Sequence, residues 1–308
     1  MIIKRGLLSF LFLFLSAGSA WAEGGGKLIL CSTFPITQTT RNVTAGTSSL
    51  QVDSLISPQL GCPHDYALTP KDMRKLAKAD VLIINGLGME EFLGAPLARA
   101  NPGLVIIDSS RGISGLLQDQ VDDKSDEADD EHRGGFNPHL FASPVMTGLL
   151  TKNIAEALEG LFPEDAELFR ANYRSYGERM NRLAADFTAL GRRLGNNRII
   201  TQHGVFDYLA RDLGLEVVGL VQVHPGSEPS AAGILSLIRI AREQKVGAIF
   251  TEPQYSDGVG RTIANETGVP SATLDPAASG PENAPLEYYE TVMRRNLEVM
   301  ANILGTRE

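Results

Sequence analysis

One long apolar stripe of helical period, in the middle of the chain, constrains the fold most strongly. Its members recur at alternating steps of four and three residues: Phe169, Tyr173, Tyr176, Met180, Leu183, Phe187, Leu190 and Leu194. This spacing predicts a helix over about 163–193, which at 1.5 Å per residue would be about 45 Å long. The same spacing would suit an intermolecular coiled coil. We favour an intramolecular helix, because the α/β sheets predicted on either side each need a helix on their exposed face.

Short runs of Val, Ile and Leu alternate with helix-period segments on both sides of this helix, which is typical of βαβ units around mostly parallel sheets. The predicted strands are 27–31, 50–56, 80–85 and 104–107 before the helix, and 198–201, 215–220, 248–251 and 271–274 after it. Further helices are predicted near 205–213, 230–244, 258–267 and 286–304. The prediction is an α/β protein with an N-terminal lobe at 23–162, one long rigid linking helix at 163–194 and a C-terminal lobe at 195–308.

The N-terminal segment has the pattern of a secretory signal peptide. Lys4 and Arg5 precede an apolar run over about 6–17, which is shorter than the roughly 20 residues that a spanning helix needs. Small residues follow up to Ala22, so we expect residues 1–22 to be cleaved and the protein to be periplasmic. Leu30, instead of a small residue, precedes Cys31. We therefore expect no lipid anchor.

The net charge and the cysteine content argue against several classes of function. The net charge is −9 and no stretch is basic enough to follow a phosphate backbone, which argues against a nucleic-acid partner. Two cysteines, Cys31 and Cys62, are too few for a four-cysteine zinc site or a disulfide scaffold. In an oxidising compartment they could form one disulfide, or both could be buried thiols, and their spacing does not decide between these alternatives.

An acidic segment at about 119–135 interrupts the α/β pattern. It is polar and aperiodic, which is typical of a surface loop. It is either a solvated insertion or a weak cation-collecting arm, in which Asp129, Asp130 and His132 would capture a metal ion transiently.

The chain has no P-loop, nucleophile elbow or HExxH motif, so its chemistry depends on the placement of five histidines. His64 and His203 each follow a predicted strand, at the carboxyl ends where open α/β sheets place ligands. His139 follows the acidic segment and precedes a helix, and Asp275 ends the last strand. Taken singly, such residues are more often caps or hydrogen-bond partners. Together, three imidazoles and one carboxylate would form a closed four-coordinate metal site in the cleft between the lobes.

Several motifs occur here in the order typical of a known family. They are Pro63-His64-Asp65-Tyr66 with Thr69-Pro70, Asn137-Pro138-His139, His203 with Tyr208, Phe250-Thr251-Glu252-Pro253-Gln254 and Leu274-Asp275-Pro276. With them the chain resembles, over about residues 27–305, the periplasmic solute-binding proteins of zinc and manganese ABC transporters. The resemblance implies two α/β lobes joined by one long helix. It also implies a metal site with the ligands His64, His139, His203 and Asp275.

The third ligand position helps to choose the metal. Relatives that look manganese-specific carry a carboxylate there, whereas this chain has His203. Three imidazoles and one carboxylate also suit tetrahedral Zn²⁺ better than Mn²⁺, which prefers oxygen ligands. The resemblance therefore implies a monomer that captures Zn²⁺ as a transported ligand for a membrane ABC permease. A periplasmic metallochaperone is a further candidate partner.

One of the departures of the chain from the family pattern lies near the site. The residue two before His64 is often acidic in the family and is Cys62 here, which brings a thiol near the metal. Glu252 could orient a ligand imidazole as a hydrogen-bond acceptor, or it could be a structural carboxylate. His224 matches no ligand position.

Three alternatives to zinc transport remain at this stage. A manganese-binding member of the same family is one. A zinc hydrolase would use Glu252 as general base and a metal-bound water as nucleophile, and it would need an open coordination position. A siderophore- or haem-binding protein shares the two-lobe plan, but no obvious set of aromatic or arginine side chains accompanies the four ligands. The prediction is a binding protein without enzymatic chemistry.

Overall fold

The computed structural model describes residues 26–63, 66–94, 97, 100–119, 135–222 and 226–305. Its strands are β1 (Lys27–Cys31), β2 (Leu50–Ser54), β3 (Val81–Ile84), β4 (Val105–Asp108), β5 (Arg198–Thr201), β6 (Glu216–Leu220), β7 (Ala248–Thr251) and β8 (Ser271–Thr273). They form two four-stranded sheets with the orders β2-β1-β3-β4 and β6-β5-β7-β8, and every strand pair is parallel. The α/β prediction with parallel sheets is confirmed.

The two sheets repeat one topology. In the first sheet β2 lies on one side of β1, and β3 and β4 lie on the other side. In the second sheet β6 lies on one side of β5, and β7 and β8 lie on the other. The order in which strands are added therefore reverses between β1 and β3 and between β5 and β7. Ligands of open parallel sheets bind outside the carboxyl ends of the strands at such a reversal. Residues directly after β5 and β7 are therefore well placed for a site.

The described helices are α1 (Phe34–Val43), α2 (Pro70–Leu76), α3 (Pro144–Leu161), α4 (Ala166–Gly191), α5 (Asp207–Leu213), α6 (Ala231–Glu243), α7 (Gly258–Thr267) and α8 (Tyr288–Leu304). The Thr69 side chain caps helix α2, and the Asp72 carboxylate accepts a hydrogen bond from the Thr69 backbone N. None of the helices in the described part of the chain combines the length and the apolar character that a bilayer span requires.

The long helix of the prediction is α4, preceded by a 3₁₀ turn at Pro163–Asp165. It packs against α1 and α3 on one side of the molecule and against α5 and α8 on the other. It ends at Gly191, where a Cβ would lie 2.0 Å from the carbonyl oxygen of Leu213. Only a residue without a side chain allows α4 and α5 to approach so closely.

The apolar stripe of α4 belongs to a core that runs through both lobes. Ile29 of β1, Phe187 of α4 and Phe250 of β7 are members of this single buried cluster. Smaller clusters fill the space behind each sheet, with Leu30 in one and Ile249 in the other. The α4 helix is thus an intramolecular connector whose apolar face is covered by the chain's own lobes.

Helix α1 is the element that the sequence analysis did not anticipate. Its sequence is rich in threonine and has only four apolar residues in ten, yet nine of the ten are buried. Two of its buried polar side chains bond to the backbone one turn earlier: the Thr37 hydroxyl donates to Thr33 O at 2.8 Å, and Asn42 Nδ2 donates to Gln38 O at 3.0 Å. The helix is short and threonine has a low helix propensity, so neither a long apolar stripe nor propensity indicates it in the sequence.

Candidate metal centre

His203 and Glu252 form a buried pair at the strand reversal of the second sheet. His203 lies two residues after β5 and Glu252 directly after β7, and these strands are neighbours. His203 Nδ1 lies 2.6 Å from Glu252 Oε1, and the two side chains are 2% and 1% exposed. A carboxylate only accepts hydrogen bonds when ionised, so it keeps the proton on Nδ1 and makes Nε2 the ligand nitrogen.

Opposing influences act on the pKa of the Glu252 carboxyl group. Burial raises its pKa, the adjacent His203 lowers it, and the charge of Asp275 raises it. This arrangement matches the role of an acceptor that orients a ligand imidazole, one of the two interpretations of Glu252 from the sequence.

His139 is oriented by a neighbour in its own motif. The side-chain oxygen of Asn137 lies 2.9 Å from both the backbone N and the Nδ1 of His139. The amide oxygen is an acceptor, so His139 donates from Nδ1 and also has Nε2 as its ligand nitrogen. His139 is 4% exposed, at the start of a 3₁₀ turn over Leu140–Ala142.

Asn137 also joins the two lobes. Its Nδ2 donates to Gly204 O at 2.8 Å and to Asp207 Oδ2 at 3.1 Å, both in the turn that follows His203. The hydroxyl of Tyr208 donates to Asn137 O at 2.8 Å. The segment that carries His139 is therefore bonded to the segment that carries His203.

Two further polar residues support this segment from the first sheet. Asn85, which follows β3, donates from Nδ2 to Pro138 O at 2.9 Å. The buried Glu90 accepts hydrogen bonds from the backbone N of Asn85 at 2.7 Å and from the Ser32 hydroxyl at 2.6 Å, and burial raises its pKa to about 7. Sequence reasoning assigned no role to Asn85, Glu90 or Asn137. The position of Asn85 at a strand end was the available signal.

The two imidazoles converge with a thiol. The ring centroids of His139 and His203 are 5.0 Å apart at an interplanar angle of 78°. One ring nitrogen of each histidine and the Cys62 sulfur all lie within 4.8 Å of one another. This is the group of potential ligands that the described residues bring together.

The two cysteines are free thiols, so of the two alternatives left open by the sequence, the structure has the unbridged one. Cys31 is fully buried at the end of β1, and burial raises the pKa of its thiol to about 12. Cys62 is partly buried, and burial together with the Glu252 charge raises its pKa well above the usual value. The two thiols thus occupy different environments, one in the core and one beside the histidines.

Asp275 lies near this group but is not one of its members. Its backbone N donates to Asn296 Oδ1 at 3.0 Å, and its Oδ1 accepts from Ala277 N at 2.8 Å. Burial raises its pKa. Asp275 lies two residues after the last strand, and one of its carboxylate oxygens is bonded to its own turn.

Other predicted site residues lie outside the described residues. They are His64 and the acidic-segment residues Asp129, Asp130 and His132. His224 and the predicted signal peptide at 1–22 also lie outside the described residues. The two ends of the acidic segment are described, and they are close together: Gln118 and Phe136 form an antiparallel bridge, and Asn137 N donates to Leu117 O at 2.9 Å. The segment is therefore anchored immediately before His139.

A sequence profile of the periplasmic zinc-uptake complex component A, ZnuA, matches residues 29–303. The chain belongs to the ZnuA family. The resemblance expected from the motifs is thereby confirmed, and the two-lobe fold described above is the fold of a ZnuA-family member. The family is described as a periplasmic component of a zinc-uptake complex.

Individual relatives agree with the ZnuA assignment. A zinc-binding protein AdcA of Streptococcus pyogenes serotype M3 is 28% identical, with 97% of this chain and 60% of AdcA covered. The high-affinity zinc uptake system protein ZnuA of Bacillus subtilis is 28% identical, with 93% of this chain and 90% of that protein covered. A crystal structure of ZnuA matches with a TM-score of 0.76 at 25% identity, covering 91% of this chain and 100% of the other. The chain thus spans 60% of the length of the AdcA relative.

Proposed function

We propose that this protein captures Zn²⁺ in the cleft between its lobes and delivers it to a membrane ABC permease. The observation that carries the proposal is the pair of buried imidazoles, His139 and His203, which bring one ring nitrogen each within 4.8 Å of the other. Each ring has an oxygen acceptor on Nδ1, namely Asn137 for His139 and Glu252 for His203. Metal-binding histidines characteristically have such a partner on their second nitrogen.

The donor atoms favour zinc over manganese. Imidazole suits the borderline-soft Zn²⁺, whereas Mn²⁺ is preferred by carboxylate, carbonyl and water oxygens. At the third ligand position the chain has His203, and the carboxylate nearest to it, Glu252, is hydrogen-bonded to the ring. The names of the relatives, zinc-binding protein and zinc uptake protein, support the same cargo.

The family resemblance extends the ligand set to His64 and Asp275. We propose His64 as the third imidazole. For Asp275 the structure gives less support, because its carboxylate lies outside the ligand group and one oxygen accepts from Ala277 N. An Asp275→Asn variant tests this assignment, since a zinc affinity equal to that of the wild type would remove Asp275 from the ligand set.

We infer that the protein performs no hydrolysis. A hydrolase would need Glu252 as a general base facing a metal-bound water. In the structure Oε1 of Glu252 is 2.6 Å from the Nδ1 of His203, on the side of the ring away from its ligand nitrogen. This contact supports an orienting role instead.

For partners and location, we infer a monomeric periplasmic protein that docks on an ABC permease and can receive zinc from a metallochaperone. We also infer that no lipid anchor is attached at Cys31. A lipid-bearing cysteine would be the first residue of a mature chain, whereas Cys31 ends strand β1 and is fully buried. Mass spectrometry of the mature N-terminus would identify the cleavage site and any attached lipid.

The experiment that tests the cargo is a metal competition. Protein freed of metal with a chelator is offered Zn²⁺ and Mn²⁺ together, and bound metal is counted by mass spectrometry for the wild type, His203→Ala and His224→Ala. His224 is the matched imidazole control, because the resemblance gives it no ligand role. We expect one zinc per chain in the wild type and in the control, and loss in His203→Ala. Retention of manganese, or no tight metal in the wild type, would contradict the proposal.

A further inference from the structure

We propose that Cys62 binds the captured zinc ion as a thiolate, together with His139 and His203. The inference rests on the proposed zinc capture and adds a ligand to that site. Its geometric basis is that the Cys62 sulfur and one ring nitrogen of each histidine all lie within 4.8 Å of one another. Among the described residues, these three are the ones that meet this condition.

The distances suit a single ion. With zinc–sulfur bonds of about 2.3 Å and zinc–nitrogen bonds of about 2.0–2.1 Å, a tetrahedral site separates its ligand atoms by roughly 3.3–3.6 Å. The ligand atoms in the structure are at most 4.8 Å apart, so each pair must approach by at most about 1.5 Å to bind one ion. Rotation of the Cys62 side chain and small shifts of its loop provide such movement.

The loop that carries Cys62 lies against the other lobe. Gly61 adopts a φ of +81°, which a residue with a side chain rarely adopts, and a Cβ there would lie 3.1 Å from Gln254 Cγ. Gln254 follows Glu252 by two residues, directly after β7. The turn at Gly61 therefore brings the thiol to the same edge of the second sheet as the His203–Glu252 pair.

A thiolate supplies the negative charge that two neutral imidazoles lack. On binding, the Cys62 S–H bond breaks, a sulfur–zinc bond forms and the proton goes to solvent. Cys62 thereby takes the role of anionic ligand that the family resemblance gives to Asp275, whose carboxylate lies outside the group. A soft sulfur ligand increases the preference for zinc over manganese.

Cobalt provides a direct spectroscopic test, because Co²⁺ bound to a thiolate has a strong charge-transfer band in the near ultraviolet and Co²⁺ bound only to nitrogen and oxygen has none. The reduced, metal-free mature protein is titrated with Co²⁺ as wild type, Cys62→Ser and Cys31→Ser. Cys31 is the matched control, since it is a thiol outside the ligand group. We expect the band in the wild type and in Cys31→Ser, and its loss in Cys62→Ser. A wild type that binds cobalt without the band overturns the inference without needing any variant to fold.

Zinc affinity separates this inference from the proposed function. Loss of a direct ligand should weaken binding by at least as much as loss of a residue that orients a ligand, which is about 10- to 100-fold. Circular dichroism verifies that Cys62→Ser is folded before the titration. If Cys62→Ser binds one zinc as tightly as the wild type, the thiolate inference fails and the zinc function stands. If the folded wild type binds neither cobalt nor zinc, both fail.

Discussion

Replacing Glu252 by alanine tests how the chain prepares His203 for metal. Glu252 Oε1 is 2.6 Å from His203 Nδ1, and both side chains are almost fully buried. Removal of the carboxylate takes away the acceptor of this buried N–H group, which costs about 1–3 kcal/mol of stability. Loss of such an orienting partner weakens metal binding by about 10- to 100-fold, or about 1.4–2.8 kcal/mol.

Replacing Glu252 by glutamine should weaken zinc binding less than replacing it by alanine. Glu252→Gln keeps an acceptor oxygen and nearly the same volume, but it removes the charge. Hydrogen bonds to an ionised group are about twice as strong as neutral ones. The glutamine variant should therefore lose about half of the free energy lost by the alanine variant, which corresponds to about a 3- to 10-fold weaker zinc affinity.

The assay is competition for zinc between the protein and a chromophoric chelator near neutral pH, with urea unfolding of the metal-free protein measured in parallel. Glu290→Ala is the matched control, because Glu290 is a buried carboxylate that pairs with Arg179 at 2.8 Å, away from the histidines. The control should lose stability and keep its zinc affinity. An affinity of folded Glu252→Ala within about twofold of the wild type would refute the orienting role.

Three further outcomes are expected. Zinc affinity should fall below about pH 6, because histidines must be neutral to bind the metal, and a competition titration that finds no change near pH 5 would contradict an imidazole site. Burial raises the pKa of Glu90 from 4.5 to about 7, so its contribution to stability is complete below pH 4.5 and is lost as the pH rises through 7; Glu90→Gln should flatten that part of a urea stability profile. Gly191→Ala should lower the free energy of unfolding by about 1–3 kcal/mol because of the Leu213 carbonyl. Thermal unfolding should show no loss in the control Gly160→Ala, where nothing lies within 4 Å of the added Cβ.

Much of the architecture could be predicted from the sequence, because the hydrophobic period that indicates a helix or a strand depends only on residues close together in the chain. The strands at Arg198–Thr201 and Ala248–Thr251 and the helix at Gly258–Thr267 have the predicted bounds. The long helix was predicted over about 163–193 and spans Ala166–Gly191, with a 3₁₀ turn at Pro163–Asp165 before it. Helix α1 was missed because it is short and rich in threonine, with only four apolar residues in ten.

The candidate site, too, could be predicted only in part from the sequence. His139 and His203 were identifiable because each stands at the end of an element, and residue type and position are written in the sequence. Glu252 was identifiable as a candidate acceptor for a ligand imidazole, but it is 49 residues from His203 in the chain, and only the pairing of β5 with β7 brings the two together. The role of Asn137 as the partner of His139 was not identified. Likewise, the resemblance implied a thiol near the metal at Cys62, but only the packing of the Gly61 turn against the second lobe brings its sulfur to both histidines, while Cys31 stays in the core. The sequence by itself determined which elements form and which side chains could bind a metal. The tertiary structure decided which of them meet, because contacts between distant segments depend on how the lobes pack.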